Sequence, residues 1–367
     1  MSAPDSAADT AADPAVGAGR PWPVGAATGV GSLPGTDIVE AVRTVAGELP
    51  DLPYLPELPA RGPGAGMIGR TAGLLVGLPV DLYVGRWRMT ARPGIDVRRI
   101  ADLLERDLDA LTDVASDYAG PVKIQAAGPW TLAAGIDRQT GGAVLGDHGA
   151  VRDLAASLAE GLAAHAAEVG RRVPGARVLL QLDEPGLPAV LAGRVRTESG
   201  LYTLRAVSAE TARSALRQVI GASGAVAVGL DLALLGDLDP LGEAVDGGLG
   251  LFAGAVPTSP PARGAGVRDA AGARDAAEAR DAAGGGDRSS DRPGDDEPGT
   301  RAAGLDRAAA ERVLDVWRKL GFPLKPLPEQ VVVTPACGLA GASPAYARAA
   351  TTAVREAARR LVDAALG

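Results

Sequence analysis

Carboxylates and a thiol that stand where apolar runs end are the residues of this sequence best placed to do chemistry. Val178-Leu179-Leu180-Gln181-Leu182 leads straight into Asp183-Glu184-Pro185. Two acids thus emerge at the end of a stretch that reads as a buried strand, where a carboxylate is costly unless a partner or ligand meets it. The ammonium group of a bound molecule would serve; a turn whose acids cap the next helix is the other reading. Cys337 follows Val331-Val332-Val333-Thr334-Pro335-Ala336 in the same way, and its thiol is a core filler, a nucleophile or a metal ligand. Gly31-Ser32, Glu57 in Leu52-Pro53-Tyr54-Leu55-Pro56-Glu57, Gly128-Pro129-Trp130 and Asp231 hold the same position after short apolar runs. Trp130 either stacks on a planar ligand or closes one end of the fold.

Other motifs exclude chemistry. With only two histidines, His148 and His165, no His-rich metal site and no helix-borne H-E-x-x-H pair can be built. His165 falls on a stripe with Leu158, Leu162 and Val169 and reads as a helix-face histidine. Gly64-Ala65-Gly66-Met67-Ile68-Gly69 matches G-x-G-x-x-G, yet a Pro-rich loop precedes it instead of a strand, so it is not a dinucleotide site. Neither a G-x-S-x-G elbow nor a phosphate-binding G-x-x-x-x-G-K-[ST] loop occurs.

The elements that must position these residues alternate. Strands are expected near 27–33, 52–57, 121–127, 177–183, 225–231, 248–254 and 330–335, and helices lie between them. Ile100, Leu103, Leu104, Leu108, Leu111 and Val114 form one apolar stripe, and Val151, Leu154, Leu158, Leu162 and Val169 another. Further helices are expected over 208–220, 305–320 and 345–366. Strands separated by helices pair in parallel and read as continuous apolar runs, so the class is α/β. Because the reactive residues all sit at C-terminal strand ends, which converge on one face of a (β/α)8 TIM-type barrel, that architecture is expected.

Composition bounds the rest. The 367 residues, 46% of them apolar, suffice for a sizeable core. A net charge of −8 argues against a sequence-independent grip on nucleic acid or an anionic membrane, and no uninterrupted apolar stretch is long enough to span a bilayer. A single cysteine fits a reducing cytoplasm. Small-molecule partners are therefore expected, with no nucleic acid and no membrane, in a cytoplasmic protein. Residues 1–20 read as a disordered tail. The Arg-Asp-Ala-Ala repeats and Gly-rich run of 258–303 cannot offset their ordering entropy and read as a disordered insertion in a single barrel domain, 21–367.

In their order along the chain, Gly31-Ser32-Leu33-Pro34, Glu57, Gly128-Pro129-Trp130-Thr131, Gln181-Leu182-Asp183-Glu184-Pro185 and Thr334-Pro335-Ala336-Cys337-Gly338-Leu339 resemble the C-terminal catalytic barrel of cobalamin-independent methionine synthase. The similarity is greatest to the short, single-barrel relatives, whose fold is shared with uroporphyrinogen decarboxylase. The resemblance implies a methyltransferase of methionine biosynthesis that moves a methyl group from 5-methyltetrahydrofolate to homocysteine, with Zn2+ converting the acceptor thiol to thiolate. It implies that Ser32, Glu57 and Asp183 hold the amino-acid end of homocysteine, with Asp183 at the catalytic centre, that Trp130 lies near the folate, and that Cys337 and Asp231 are metal ligands.

The sequence departs from that pattern at one place. The family's His-x-Cys ligand pair lies on a strand that this chain lacks: no His or Cys occurs between His165 and Cys337, and the helix over 208–220 runs almost directly into the strand near Ala225. One strand–helix unit is expected to be missing between 220 and 225. Zinc needs four ligands, or three plus substrate, so Glu184, Asp237, a substrate thiol or another chain would have to complete the shell. A catalytically impaired family member acting as a small-molecule-binding barrel is the alternative. A lyase of the uroporphyrinogen decarboxylase kind is a third reading, poorly served by the few basic residues at the strand ends.

Overall fold

The computed structural model describes residues 20–223, 250–260 and 304–367 in full and 227–231 as backbone. The tail over 1–19, residues 224–226 at the expected missing unit, Asp237 and most of the 258–303 stretch lie outside the described residues.

Five strands form one parallel sheet: β3 (Gly120–Ala127), β5 (Ala176–Asp183), β6 (Ala227–Asp231), β7 (Leu251–Val256) and β8 (Val331–Pro335), adjacent in that order. All four pairings are parallel, with registers such as Gln125↔Gln181, Gln181↔Ala227, Gly229↔Phe252 and Phe252↔Val332. Parallel neighbours need crossovers, which the helices supply. Between β3 and β5 lie α4 (Pro129–Gly135) and α5 (His148–Arg172); between β5 and β6 lie α6 (Leu187–Leu191) and α7 (Ala209–Ser223). Between β7 and β8 come α8 (Leu305–Lys319) and α9 (Leu327–Gln330), and α10 (Pro344–Leu366) follows β8. β5 and β6 bond directly to each other, so no strand stands between them.

The two N-terminal runs join this sheet through single parallel bridges. Ala27 pairs with Val333, Ser32 with Glu57 and Tyr54 with Lys123. The bridges rest on ladder-type hydrogen bonds: Thr28 N–H to Val333 O at 3.1 Å, Glu57 N–H to Gly31 O at 3.0 Å and Lys123 N–H to Pro53 O at 2.8 Å. Prolines at 34, 53 and 56 remove donors and break these runs into bridges instead of full strands. The strand expected at 248–254 is found at Leu251–Val256, with a register shift between Gly254 and Val256.

Outside the sheet, α1 (Ile38–Glu48), α3 (Ile95–Ala115) and α5 turn apolar stripes inward. Ile100, Leu104, Leu108 and Leu111 of α3 are buried, as are Leu154, Leu158, Leu162, His165 and Val169 of α5. A short helix, α2 (Met67–Ala72), begins at the Gly-rich loop.

A small sheet was not expected. β1 (Val80–Tyr83) and β2 (Arg86–Met89) form a hairpin, and β2 pairs in parallel with β4 (Ile136–Asp137). Its turn places Val84 at φ 48° and Gly85 at φ 78°, the positive-φ pair that suits a two-residue hairpin. Val is an uncommon residue in that place, and Arg86 and Arg88 interrupt the apolar pattern, so the hairpin left no clear mark in the sequence.

Candidate functional site

Strand alternation divides the sheet into two faces. Val122, Ile124, Ala126, Leu180 and Leu182 turn towards the helices and join the largest apolar cluster. Leu179 turns the other way, into a cluster with Trp22, Ala26, Leu52, Phe252 and Val332, where the rings of Trp22 and Phe252 meet edge-on at 5.3 Å. Two residues further along β5 the same face changes character. Lys123, Gln125, Gln181 and Asp183 share it, beside Glu57 and the Val30 carbonyl.

These residues form one connected network. Lys123 Nζ donates to Val30 O and to Gln125 Oε1, both at 3.0 Å, and stands 5.0 Å from the centre of the Tyr54 ring. Gln125 Nε2 donates to Leu55 O at 2.8 Å and to Glu57 Oε1 at 3.1 Å. Gln181 Nε2 donates to Val30 O at 3.2 Å and to Asp183 Oδ1 at 2.6 Å. The Oε1 of Gln181 is buried and has no hydrogen-bond partner.

Burial dominates the electrostatics. It pushes Asp183 up to about 7, with Lys123 and the Gln181 hydrogen bond pulling the other way. It lowers Lys123 to about 8 against the attraction of Asp183 and Glu57, and it raises Glu57 while Arg70, Gln125 and Lys123 oppose it. Two carboxylates, Lys123 and, beside Glu57, Arg70 thus stand in a place that disfavours charge, where burial outweighs the attractions among them.

Ser32, Glu57, Asp183 and the Cys337 loop lie at the same C-terminal ends. Ser32 bridges to Glu57, and its carbonyl accepts from Leu339 N–H at 2.8 Å. A Cβ on Gly338 would overlap Ser32 Oγ, so glycine beside Cys337 lets the two loops touch. Cys337 is exposed.

Glu184 and Trp130 turn away from the rim, and His165 lies on the buried face of α5, as its stripe predicts. Glu184 is 8% exposed and points to the helix side of its strand, where it accepts from Trp130 N–H at 2.9 Å, Thr131 N–H at 2.7 Å and Thr131 Oγ1 at 2.6 Å. It caps the start of α4, the capping reading for this acid, although the helix is the one before it in the chain. Trp130 is 2% exposed and donates its indole N–H to Ala212 O at 3.1 Å, so neither ring face is open to a planar ligand and the residue packs the core. His165 is buried with its imidazole pushed down to about 4 by desolvation and by Arg70, as fits a neutral core histidine.

Of the metal ligands implied by resemblance, Cys337 lies exposed at the rim. Among the described residues there is no group of three or more His, Cys, Asp or Glu that could hold an ion, and Glu184 is committed to α4. The Asp231 backbone ends β6, paired with Gly254; its side chain lies outside the described residues.

Sequence reading missed Lys123, Gln125, Gln181, Arg70 and Asp107. The first three had a signal: in Val122-Lys123-Ile124-Gln125-Ala126 and Leu180-Gln181-Leu182-Asp183 the polar residues alternate, which marks a strand with one polar face.

No protein-family profile matches the sequence, and no curated protein matches it. Among solved structures, a B12-independent methionine synthase from Shewanella sp. W3-18-1, in complex with selenomethionine, aligns with 95% of this chain and 97% of its own at 12% identity and a TM-score of 0.48. At that identity and score the similarity carries no argument about function. No helix among the described residues is long and apolar enough to cross a membrane.

Proposed function

We propose that the chain is a (β/α) barrel of seven parallel strands which binds a small α-amino acid, of the homocysteine kind, at the C-terminal strand ends. Asp183 and Glu57 receive the ammonium group, and Ser32 with backbone donors of its loop receives the carboxylate. The observation that carries this reading is the buried network itself: two carboxylates, one lysine and an amide oxygen without a partner. A ligand ammonium brings three donors and one positive charge, and it meets Asp183, Glu57 and Gln181 Oε1 at once.

In this reading the protein is one domain, interrupted by the 258–303 stretch, and works on small molecules in the cytoplasm. A net charge of −8 and a lone cysteine support that setting. The order of the five motifs along the chain and the meeting of the Ser32 and Cys337 loops favour a second reading, methyl transfer from 5-methyltetrahydrofolate to homocysteine. That chemistry requires a zinc-activated thiol, and among the described residues no group of three or more His, Cys, Asp or Glu could hold the ion. The binding reading therefore stands first, and no step through zinc is derived.

Calorimetric titration with homocysteine tests it, alongside elemental analysis of the purified protein. Wild type is expected to bind, and Asp183→Asn to weaken binding by roughly tenfold or more, the worth of a charge-assisted hydrogen bond. Binding should also weaken as pH falls below about 7, where Asp183 takes up a proton. Equal affinity in wild type and Asp183→Asn would remove Asp183 from the site. Close to one zinc per chain would restore the methyltransferase reading to first place.

A further inference from the structure

The rim is tied to a second buried network that no part of the reading above uses. Arg70, on α2, is 4% exposed and Asp107, on α3, is 0% exposed. Arg70 Nη1 donates to Asp107 Oδ2, while Arg61 clamps the same carboxylate with Nη1 to Oδ1 at 2.6 Å and Nη2 to Oδ2 at 2.9 Å. On its other side Arg70 Nε stands 3.8 Å from Glu57 Oε1. A chain of ions thus runs from the helix layer to the site: Arg61, Asp107, Arg70, Glu57.

The Gly-rich loop explains how a guanidinium comes to be buried there. A Cβ on Gly64 would lie 2.9 Å from Ile100 Cγ1, and one on Gly69 would overlap the Pro63 carbonyl and the Trp87 ring. The glycines let α2 and the loop before it sit tightly against β2 and α3, and Arg70 is buried in that seat. G-x-G-x-x-G is here a packing motif with an arginine after it. Arginine suits the position, since its planar fork reaches two carboxylates at once and it keeps its charge when buried.

We infer that Arg70, braced by Asp107, is the positioning residue that fixes the orientation and charge of Glu57, making the rim selective for a ligand that carries an ammonium group. The inference rests on the amino-acid reading for its ligand but not for its geometry. Four charged groups bear on Glu57: Arg70, Lys123, Asp107 and Asp183; Gln125 donates to it. Of those that favour its ionised form, Arg70 is the strongest. Without it, Glu57 would protonate more readily and offer a neutral acid where a carboxylate is needed, and the rim would lose its preference for cations.

The test has two readouts. With carbon-13-labelled glutamate, and Glu57→Gln to assign the signal, the Glu57 carboxyl titration is followed in wild type, Arg70→Gln and Arg70→Lys. The midpoint is expected to move up in Arg70→Gln and to return part of the way in Arg70→Lys; an unchanged midpoint in Arg70→Gln overturns the inference. In parallel, homocysteine is compared with 4-mercaptobutanoate, which lacks the ammonium group. Wild type should prefer homocysteine by roughly tenfold or more and Arg70→Gln should lose most of that preference. A preference retained in Arg70→Gln also overturns it. If wild type binds neither compound, the amino-acid reading fails while the carboxyl titration still decides the role of Arg70. Should Arg70→Gln not fold, Arg70→Met with Asp107→Asn removes both charges together; because Asp107 itself raises Glu57 and Arg70 lowers it more strongly, a smaller upward shift is expected there, and the absence of a shift overturns the inference.

Discussion

Two layers of one sheet face follow opposite rules. The floor, built from Trp22, Ala26, Leu52, Leu179, Phe252 and Val332, contains no ionisable group. The polar layer beside and beyond it, Lys123 level with Leu179 on the next strand and Gln125, Gln181, Asp183 and Glu57 further towards the C-terminal ends, is at most 5% exposed at all but Asp183. The floor gains free energy from every square ångström it removes from water. The upper layer loses hydration that its internal bonds only partly return, as the displaced ionisations of Asp183 and Lys123 record. A fold that needed only a core could continue the floor upward; under the proposed amino-acid reading, the ligand ammonium offsets the cost of the polar layer. Its supports point the same way, with the Lys123 ammonium held from Val30 and Gln125 and the Glu57 carboxylate from Gln125 and Arg70.

The difference can be broken most severely from below. Phe252→Ala opens a cavity under Trp22 and should cost about 3–5 kcal/mol, seen as a fall in Tm of roughly 10 °C, with ligand affinity per folded molecule unchanged. If affinity falls in step with stability, floor and rim are one unit and the contrast is wrong.

Asp183→Asn attacks the upper layer and should act in the opposite direction at high pH. The Asp183 carboxyl titrates near 7 in the folded chain against 3.8 unfolded, so the folded state holds the proton more tightly. Its contribution to stability is complete below about 3.8 and is lost as pH rises through 7. Removing the carboxylate should therefore stabilise the protein at pH 8 by on the order of 1 kcal/mol and flatten the pH dependence of Tm between 4 and 7. A loss of stability at pH 8 would show that Asp183 is there to hold Lys123 and has no strain left for a ligand to relieve.

How much of this was legible in the sequence followed the same division. The five paired strands lie within a few residues of their expected positions because β-branched and leucine runs such as Val331-Val332-Val333 admit few other readings. The parallel order of the sheet follows from helices between strands. Asp183, Glu57 and Ser32 could be picked out as rim residues because each ends an apolar run. Lys123 could not be found by that rule: it sits mid-strand, and only alternation marks it. Arg70 and Asp107 carried weaker signals still, an arginine within a glycine motif and an acid inside the Leu104–Leu108–Leu111 stripe. Their importance comes from a contact between α2, α3 and the Glu57 loop that no local pattern encodes. Glu184 and Trp130 show the converse, since a position next to the site in sequence does not fix the face to which a side chain turns.

The smallest effect is expected at the point where the rim meets the Cys337 loop. Gly338→Ala places a methyl group on Ser32 Oγ, and the contact between the loops is held by one hydrogen bond, Leu339 N–H to Ser32 O at 2.8 Å. Overpacking of this kind costs roughly 1 kcal/mol where the neighbour is a short polar side chain that can turn away. Ser32→Ala alone should change stability little, since Ser32 is only half-buried. Combined with Gly338→Ala it should recover most of the loss, because the atom in the way is gone, giving a coupling of about 1 kcal/mol in a double-mutant cycle read by chemical denaturation. Additive effects would mean that the loops do not touch, and Cys337 would then have no fixed relation to Ser32, Glu57 and Asp183. Strong coupling would extend the contrast between the layers to the edge of the site: the floor tolerates exchange of one apolar shape for another, while the rim is specified down to whether a single Cβ is present.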